Sequence, residues 1–212
     1  FRLITSTGQQ MELERSINSY INDITTENGE MLINLHFLFN NGNLPEAVNL
    51  WCANEEQAIS KYGPINEWNV SQVTDMSLLF NNKSEFNDDI SNWDVSNVTN
   101  MKGMFCFAES FNQSLNNWDV SNVTDMSSMF KFARGFNGDI SNWNVSSVTN
   151  MNSMFYCAWS FNGDISNWDV SNVVDMESMF LYWENNEPEY EPVFNSDLSN
   201  WNVSSVTNMS SM

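Results

Sequence analysis

An α/β solenoid of about six 25-residue coils behind a helical cap is the fold this sequence predicts. Three observations carry it. Trp68, Trp93, Trp118, Trp143 and Trp168 recur every 25 residues, and Trp201 follows after 33. A methionine stands 8 residues after each Trp, from Met76 to Met209, and Phe80, Phe105, Phe130, Phe155 and Phe180 stand 12 residues after the first five. Phe86, Phe111, Phe136, Phe161 and Phe194 close the units. Self-similarity at such a period marks stacked repeats, in which each coil buries its apolar edge only against its neighbours.

Residues 1–43 do not repeat and predict a helical segment. Leu13, Ile17, Tyr20, Ile21 and Ile24 fall at helical spacing, with Gly29 as the break. Met31 to Phe39 predicts a second helix that stops at Asn40-Asn41-Gly42. His36, the single histidine, sits there as a core or half-buried residue with no catalytic partner nearby.

Residues 44–64 predict a capping helix and its junction. Asn43 can cap the free amides, Glu46 can reach back, and Pro45 suits the first turn. Val48, Trp51, Cys52, Ile59 and Tyr62 form the apolar face, and Gly63-Pro64 ends it. A first coil exposes an apolar end that needs covering, so Trp51 with Val48 and Ile59 is the expected lid over Trp68.

Residues 65–212 predict the coils, each with four stations. Ile90, Trp93 and Val95 have the spacing of a short parallel strand; Val98 and Met101 make a second extended edge. Lys102 to Ala108 predicts one or two helical turns, with Met104, Phe105 and Ala108 inward, and Phe111-Asn112 turns the corner. Stacking puts like over like, so Trp, Met and Phe columns form the core, where thioethers pack well against rings. Two amide columns, Asn92 to Asn200 and Asn87 to Asn195, read as inward ladders that satisfy backbone groups.

Asp75, Asn100, Asp125, Asn150, Asp175 and Asn208 alternate charge and amide without a miss. Carboxylates stacked ~4.8 Å apart would repel by about 1 kcal/mol or more, and alternation doubles that distance. The rival reading makes Asp75, Asp125 and Asp175 metal ligands, with calcium as the ion, since their oxygens suit hard cations. No spacing matches the twelve-residue calcium loop.

The last complete unit carries an insertion at 181–192. Phe194 follows Phe180 by 14 residues where Phe161 follows Phe155 by 6. Trp183 and Tyr190, flanked by Glu184, Glu187, Glu189 and Glu191, are the candidate ligand contacts, because loops on a regular scaffold often carry function. A plain surface insertion explains the stretch equally well.

Composition excludes several classes. With 27 acidic residues against 7 basic ones and a net charge of -20, the chain is ill suited to nucleic acid or anionic membranes. No apolar run reaches a membrane span, and no signal peptide is visible. One histidine and three cysteines supply no nucleophilic triad and no Cys/His metal site. A bridge between Cys106 and Cys157 is not expected at two coils' separation. Catalysis is therefore not expected. Of eight Asn-x-Ser/Thr sequons, Asn97 and Asn122 at exposed turns are the better glycan acceptors in a secretory pathway.

Trp118 to Phe130, Trp-Asp-Val-Ser-Asn-Val-Thr-Asp-Met-Ser-Ser-Met-Phe, followed by Phe136-Asn137-Gly-Asp-Ile-Ser-Asn-Trp143, closely resembles the BspA-like leucine-rich-repeat surface proteins. The resemblance covers about residues 44–212, with Val174 and the insertion as departures. It implies a leucine-rich-repeat-type solenoid on a cell or virion surface, extracellular, binding protein or glycan on another surface in adhesion. Stacking on further copies of itself, as a structural subunit, is the alternative. The family has no catalytic residues to transfer. The uncapped coil at Met212 reads as a stretch of a longer array.

Overall fold

The computed structural model describes residues 20–27, 30–182 and 193–212. It opens with two strands, β1 (Tyr20–Glu27) and β2 (Glu30–Phe37), paired antiparallel from Tyr20↔Phe37 to Glu27↔Glu30. From Tyr20 on this corrects the helices expected for this stretch, while Leu13 and Ile17 of the first lie outside the described residues. The sequence holds the competing signal: Met31, Ile33, Leu35 and Phe37 alternate with a period of two, and Asn28-Gly29 is the favoured pair for a two-residue hairpin. His36 lies opposite Ile21 in β2.

The single capping helix is two. α1 (Leu44–Ala53) stops at Asn54, whose extended backbone breaks the helix and whose side chain accepts from the Gln57 N–H at 3.0 Å to start α2 (Glu55–Tyr62). Pro45 sits in the first turn of α1 as expected, but the Asn43–Glu46 capping box does not form. Asn43 instead accepts from the Asn40 N–H at 2.8 Å, and Glu46 pairs with Lys61 at 3.4 Å on the surface. Leu44, Ala47, Val48 and Trp51 are buried, whereas Cys52, expected on that face, is exposed.

These helices and the segment before them cover the first coil. Phe39 stacks on Trp68 at 4.7 Å, while Trp51 and Tyr62 meet the same indole edge-on at 5.7 and 5.8 Å. Leu38 forms a parallel bridge with Asn69. The Asn41 side chain accepts from the backbone N–H of Thr74 at 2.9 Å and donates to its hydroxyl at 2.9 Å. Residues 38–41 thus offer the first coil the edge that a preceding coil would otherwise supply.

From Ile65 the chain winds as coils in register. Phe80, Phe105, Phe130, Phe155 and Phe180 stack at 5.4–5.7 Å with their planes within 6°. Phe86 to Phe194 form a parallel column at 5.8–6.0 Å. Trp93, Trp118 and Trp143 are each 3 % exposed. In the repeating Trp column, each indole N–H from Trp93 onward donates to a carbonyl of the preceding coil: Trp93 to Ile65 (2.8 Å), Trp118 to Ile90 (3.1 Å), Trp143 to Leu115 (2.9 Å), Trp168 to Ile140 (3.3 Å) and Trp201 to Ile165 (3.0 Å). Despite the insertion, Phe180 and Phe194 keep their contact at 4.3 Å.

Backbone conformation differs from the expected strands and helical turns. Among the described residues, the coils pair through one parallel bridge each, along Asp75, Asn100, Asp125, Asn150, Asp175 and Asn208. Beyond the bridge, alternate N–H groups reach the next coil, as in Met76 to Asn100, Leu78 to Lys102, Phe80 to Met104 and Asn82 to Cys106. Intervening N–H groups close tight turns within the coil, such as Leu79 to Met76 and Lys83 to Phe80. In the turns closed at Leu79 and Lys83, and at the same stations of later coils, the third residue is left-handed, at Leu78, Gly103, Ser128, Ser153 and Ser178 and again at Asn82, Phe107, Phe132 and Cys157. That is the type II pattern, which leaves no run of equal dihedrals for a helix or strand. Met104, Phe105 and Ala108 are buried as expected.

Polar columns lie on the surface. The Asn87 column is exposed, not inward, yet forms a ladder: Asn87 accepts from the Asn112 N–H (2.8 Å), Asn112 from Asn137 (2.7 Å) and Asn137 from Asn162 (2.9 Å). The Asn before each Trp is exposed. A hydroxyl ladder adds Thr99 to the Thr74 carbonyl, Thr124 to Thr99 and Thr149 to Thr124, each at 3.2 Å.

Candidate binding surface

Side chains at the repeating stations are largely consumed by the stack. Asp75, Asp125 and Asp175 each turn an Oδ1 back onto the backbone N–H two residues on, at 2.8, 2.8 and 2.9 Å. Asn100 and Asn150 make the same bond at 3.0 Å. These three carboxylates are not brought together, because an amide coil separates each from the next. Among the described residues, no group of three or more His, Cys, Asp or Glu forms a metal-holding cluster.

The same Asx turn recurs at the Asp-x-Ser phrase. Asp89, Asp119, Asp164, Asp169 and Asp197 accept from the N–H of Ser91, Ser121, Ser166, Ser171 and Ser199 at 2.9–3.1 Å. Hydrogen bonding by these serines holds all five carboxyls below their ordinary value. Asn97 and Asn122, the glycan acceptors expected, are exposed, but their amides donate to the carbonyls of Ser71 (2.9 Å) and Ser96 (2.7 Å). Trp183, Glu184, Glu187, Glu189, Tyr190 and Glu191 lie outside the described residues.

The repeat breaks at one corner, between the two phenylalanines of each unit. It reads Asn-Asn-Lys-Ser-Glu at 81–85, Cys-Phe-Ala-Glu-Ser at 106–110, Lys-Phe-Ala-Arg-Gly at 131–135 and Tyr-Cys-Ala-Trp-Ser at 156–160. The insertion opens at this same corner after Phe180. Large aromatic residues and three of the seven basic ones, Lys83, Lys131 and Arg134, collect at these corners, where stacking dictates only the central alanine of the last three, which is buried.

Geometry makes these residues one ledge. Phe107 and Phe132 stack at 4.6 Å and 12°, and Phe132 meets Tyr156 at 5.3 Å edge-on. From the same corner as Tyr156, Trp159 packs against Tyr182 of the next coil at 5.2 Å. Phe107 is 37 % exposed, and Phe132, Tyr156, Trp159 and Tyr182 are half-buried. The Lys131 ammonium lies over Tyr156, 4.8 Å from its centroid. Phe107 and Phe132 reach outward from left-handed positions (φ 59° and 57°), which cost a residue with a Cβ roughly 1–2 kcal/mol each. The same station is left-handed at Asn82 and Cys157, so the cost belongs to the recurring turn.

Burial shapes the titration here. It pushes the Tyr182 phenol up to about 12, with the nearby Cys157 thiol adding to the shift. Burial also raises Tyr156, and it raises Cys106 although Lys131 pulls the other way. None of the three cysteines is in a disulfide. A concavity of ≈ 430 Å³ opens between α1 and the first coil, lined by Asn49, Cys52, Glu55, Lys83, Glu85 and Asp88 among others. Its polar groups are partly spent on the cap: Lys83 donates to Asn49 at 2.7 Å and the Trp51 indole to Asp88 at 2.7 Å.

Sequence reasoning passed over the ledge because it took 102–108 as helical turns and looked only for what repeats. The signal was present as its opposite, the stretch where the positions flanking the central alanine vary from coil to coil.

No curated protein and no solved structure matches the chain. A family match covers residues 51–158 and 137–212, together most of the sequence and all the coils from Trp68 onward. The chain belongs to the family described as Mycoplasma protein of unknown function, DUF285.

Proposed function

We propose that this chain is a non-enzymatic binding scaffold of the BspA-like kind, a leucine-rich-repeat-type solenoid displayed at an extracellular, cell or virion surface. Its partner is protein or glycan on another surface, as in adhesion. One observation carries the reading. Stacking uses the Trp, Met, Phe and Thr columns, while the corner at 106–110, 131–135 and 156–160 places aromatic rings at the surface that the stack does not need. Interfaces favour exposed aromatic anchors of this type.

The test compares the wild-type chain with a Phe107→Ser/Trp159→Ala variant, both fluorescently labelled, on cultured cells and on arrays of surface proteins and glycans. Loss of binding in the variant, with an unchanged melting curve, is the expected result. Equal binding by both would remove the ledge from the function.

A second reading is end-to-end assembly of copies, which the in-register stacking of Trp and Phe columns from coil to coil would extend. Sedimentation velocity over a hundredfold concentration range decides it, since stacking of copies would give a rising weight-average mass.

A further inference from the structure

Lys131 is a half-buried cation held by rings instead of acids. Its Nζ is 4.8 Å from the Tyr156 centroid and 5.9 Å from that of Phe132. No hydrogen bond or ion pair joins it to a carboxylate among the described residues, although the chain has 27 acidic side chains against 7 basic. Ring faces attract an ammonium by roughly 0.5–2 kcal/mol but leave its N–H donors without strong acceptors. Arg134 stands three residues on, in the same corner, and 131–135 contains no acid.

Ring packing decides which kind of partner fits. A sugar stacks on an open aromatic face. Phe107 and Phe132 cover a face of each other, and Lys131 occupies the face of Tyr156. Phe132, stacked on Phe107, met edge-on by Tyr156 and approached by Lys131, therefore offers outward largely ring edge, the positive rim of the aromatic quadrupole. Rim and ammonium together complement carboxylate oxygens set among apolar groups. A long polyanion does not fit, because the net charge of -20 repels it beyond contact range.

We propose that the ledge formed by Phe107, Lys131, Phe132, Tyr156 and Trp159 docks a protein segment presenting an Asp or Glu side chain between apolar ones. This rests on the binding-scaffold reading above and names its partner class.

A phage-displayed dodecapeptide library selected on the immobilised 212-residue chain tests it. Enriched peptides, synthesised with a fluorophore, are titrated against wild type, Lys131→Met and, as a control away from the ledge, Lys102→Met. The expected result is peptides with Asp or Glu beside apolar residues, whose Kd rises roughly tenfold with Lys131→Met and not with Lys102→Met. Changing the peptide's acid to its amide should then cost wild type as much, and Lys131→Met almost nothing. Enriched peptides without acids, or equal losses in both lysine variants, would overturn the proposal. So would binding of wild type to a glycan array with no peptide enriched. If Phe107→Ser/Trp159→Ala abolishes cell binding while Lys131→Met leaves peptide affinity intact, the partner chemistry fails and the scaffold reading survives.

Discussion

The indole N–H of Trp143 donates to the carbonyl oxygen of Leu115, 2.9 Å away in the preceding coil, and that same oxygen accepts from the backbone N–H of Trp118 at 3.0 Å. One buried acceptor therefore closes a turn in its own coil and ties the next coil to it. The arrangement recurs from Ile65 to Ile165, so the tryptophan column sets coil-to-coil register as well as filling the interior.

Replacing Trp143 by Phe keeps most of the apolar volume and deletes the donor. Because Leu115 O retains its second partner, the expected loss is about 1–2 kcal/mol. The urea midpoint, with an unchanged slope, is the measurement. A loss near zero would mean that the ladder adds nothing beyond packing.

Gly138 is a second point of close approach. A Cβ there would stand 2.1 Å from the Gln113 carbonyl oxygen, a backbone atom that cannot step aside alone. Gly138→Ala should destabilise by roughly 1–3 kcal/mol. At Gly163, in the same station one coil later, the nearest atom is a Phe161 ring carbon at 3.0 Å, so Ala should cost less there. Equal midpoints for the two variants would contradict this account.

Val174 interrupts the hydroxyl ladder. Its N–H still reaches the Thr149 carbonyl at 2.8 Å, but the threonine hydroxyl that elsewhere adds a bond at 3.2 Å is missing, and the side chain is 44 % exposed. Val174→Thr should raise stability by about 0.5–1 kcal/mol, read from thermal or urea unfolding.

Acid should unfold the coils in a defined window. Asp89, Asp119, Asp164, Asp169 and Asp197 titrate below their ordinary value of 3.8 because serine groups hydrogen-bond the ionised form. On acidification the unfolded chain takes up protons first. The stability these groups contribute is complete above about pH 4 and is lost as pH falls from there through the folded values. Repulsion among the 27 acids acts oppositely and weakens as they protonate. Urea midpoints should therefore peak between about pH 4 and 5 and fall on the acid side. Asp164→Asn/Asp169→Asn should flatten the acid limb, since Asn144 and Asn202 already make the same turn with an amide at 3.2 Å. A limb of unchanged steepness would assign acid unfolding to other groups.

Much of the interior could be read from spacing alone. From Trp68 to Met179 the Trp, Met and Phe stations bury as the 25-residue register requires, because each coil has no other place for a large apolar side chain than over its counterpart. Local backbone was less legible. Type II turns need left-handed residues, and Ser128, Ser153 and Ser178 give no compositional hint where Gly103 does. Residues 20–37 carried both helical and alternating patterns, and pairing of one strand with the other resolved them.

What the sequence by itself determined is the register: which residues lie over which, and so the composition of the core. Tertiary structure alone decided that residues 38–41 stand in for a missing coil, and that corner residues from three successive coils become one ledge. Both depend on contacts across a coil or more of chain. A period fixes which side chains coincide, but how an unrepeated segment meets the stack depends on shape and on hydrogen-bond partners found only once the stack exists.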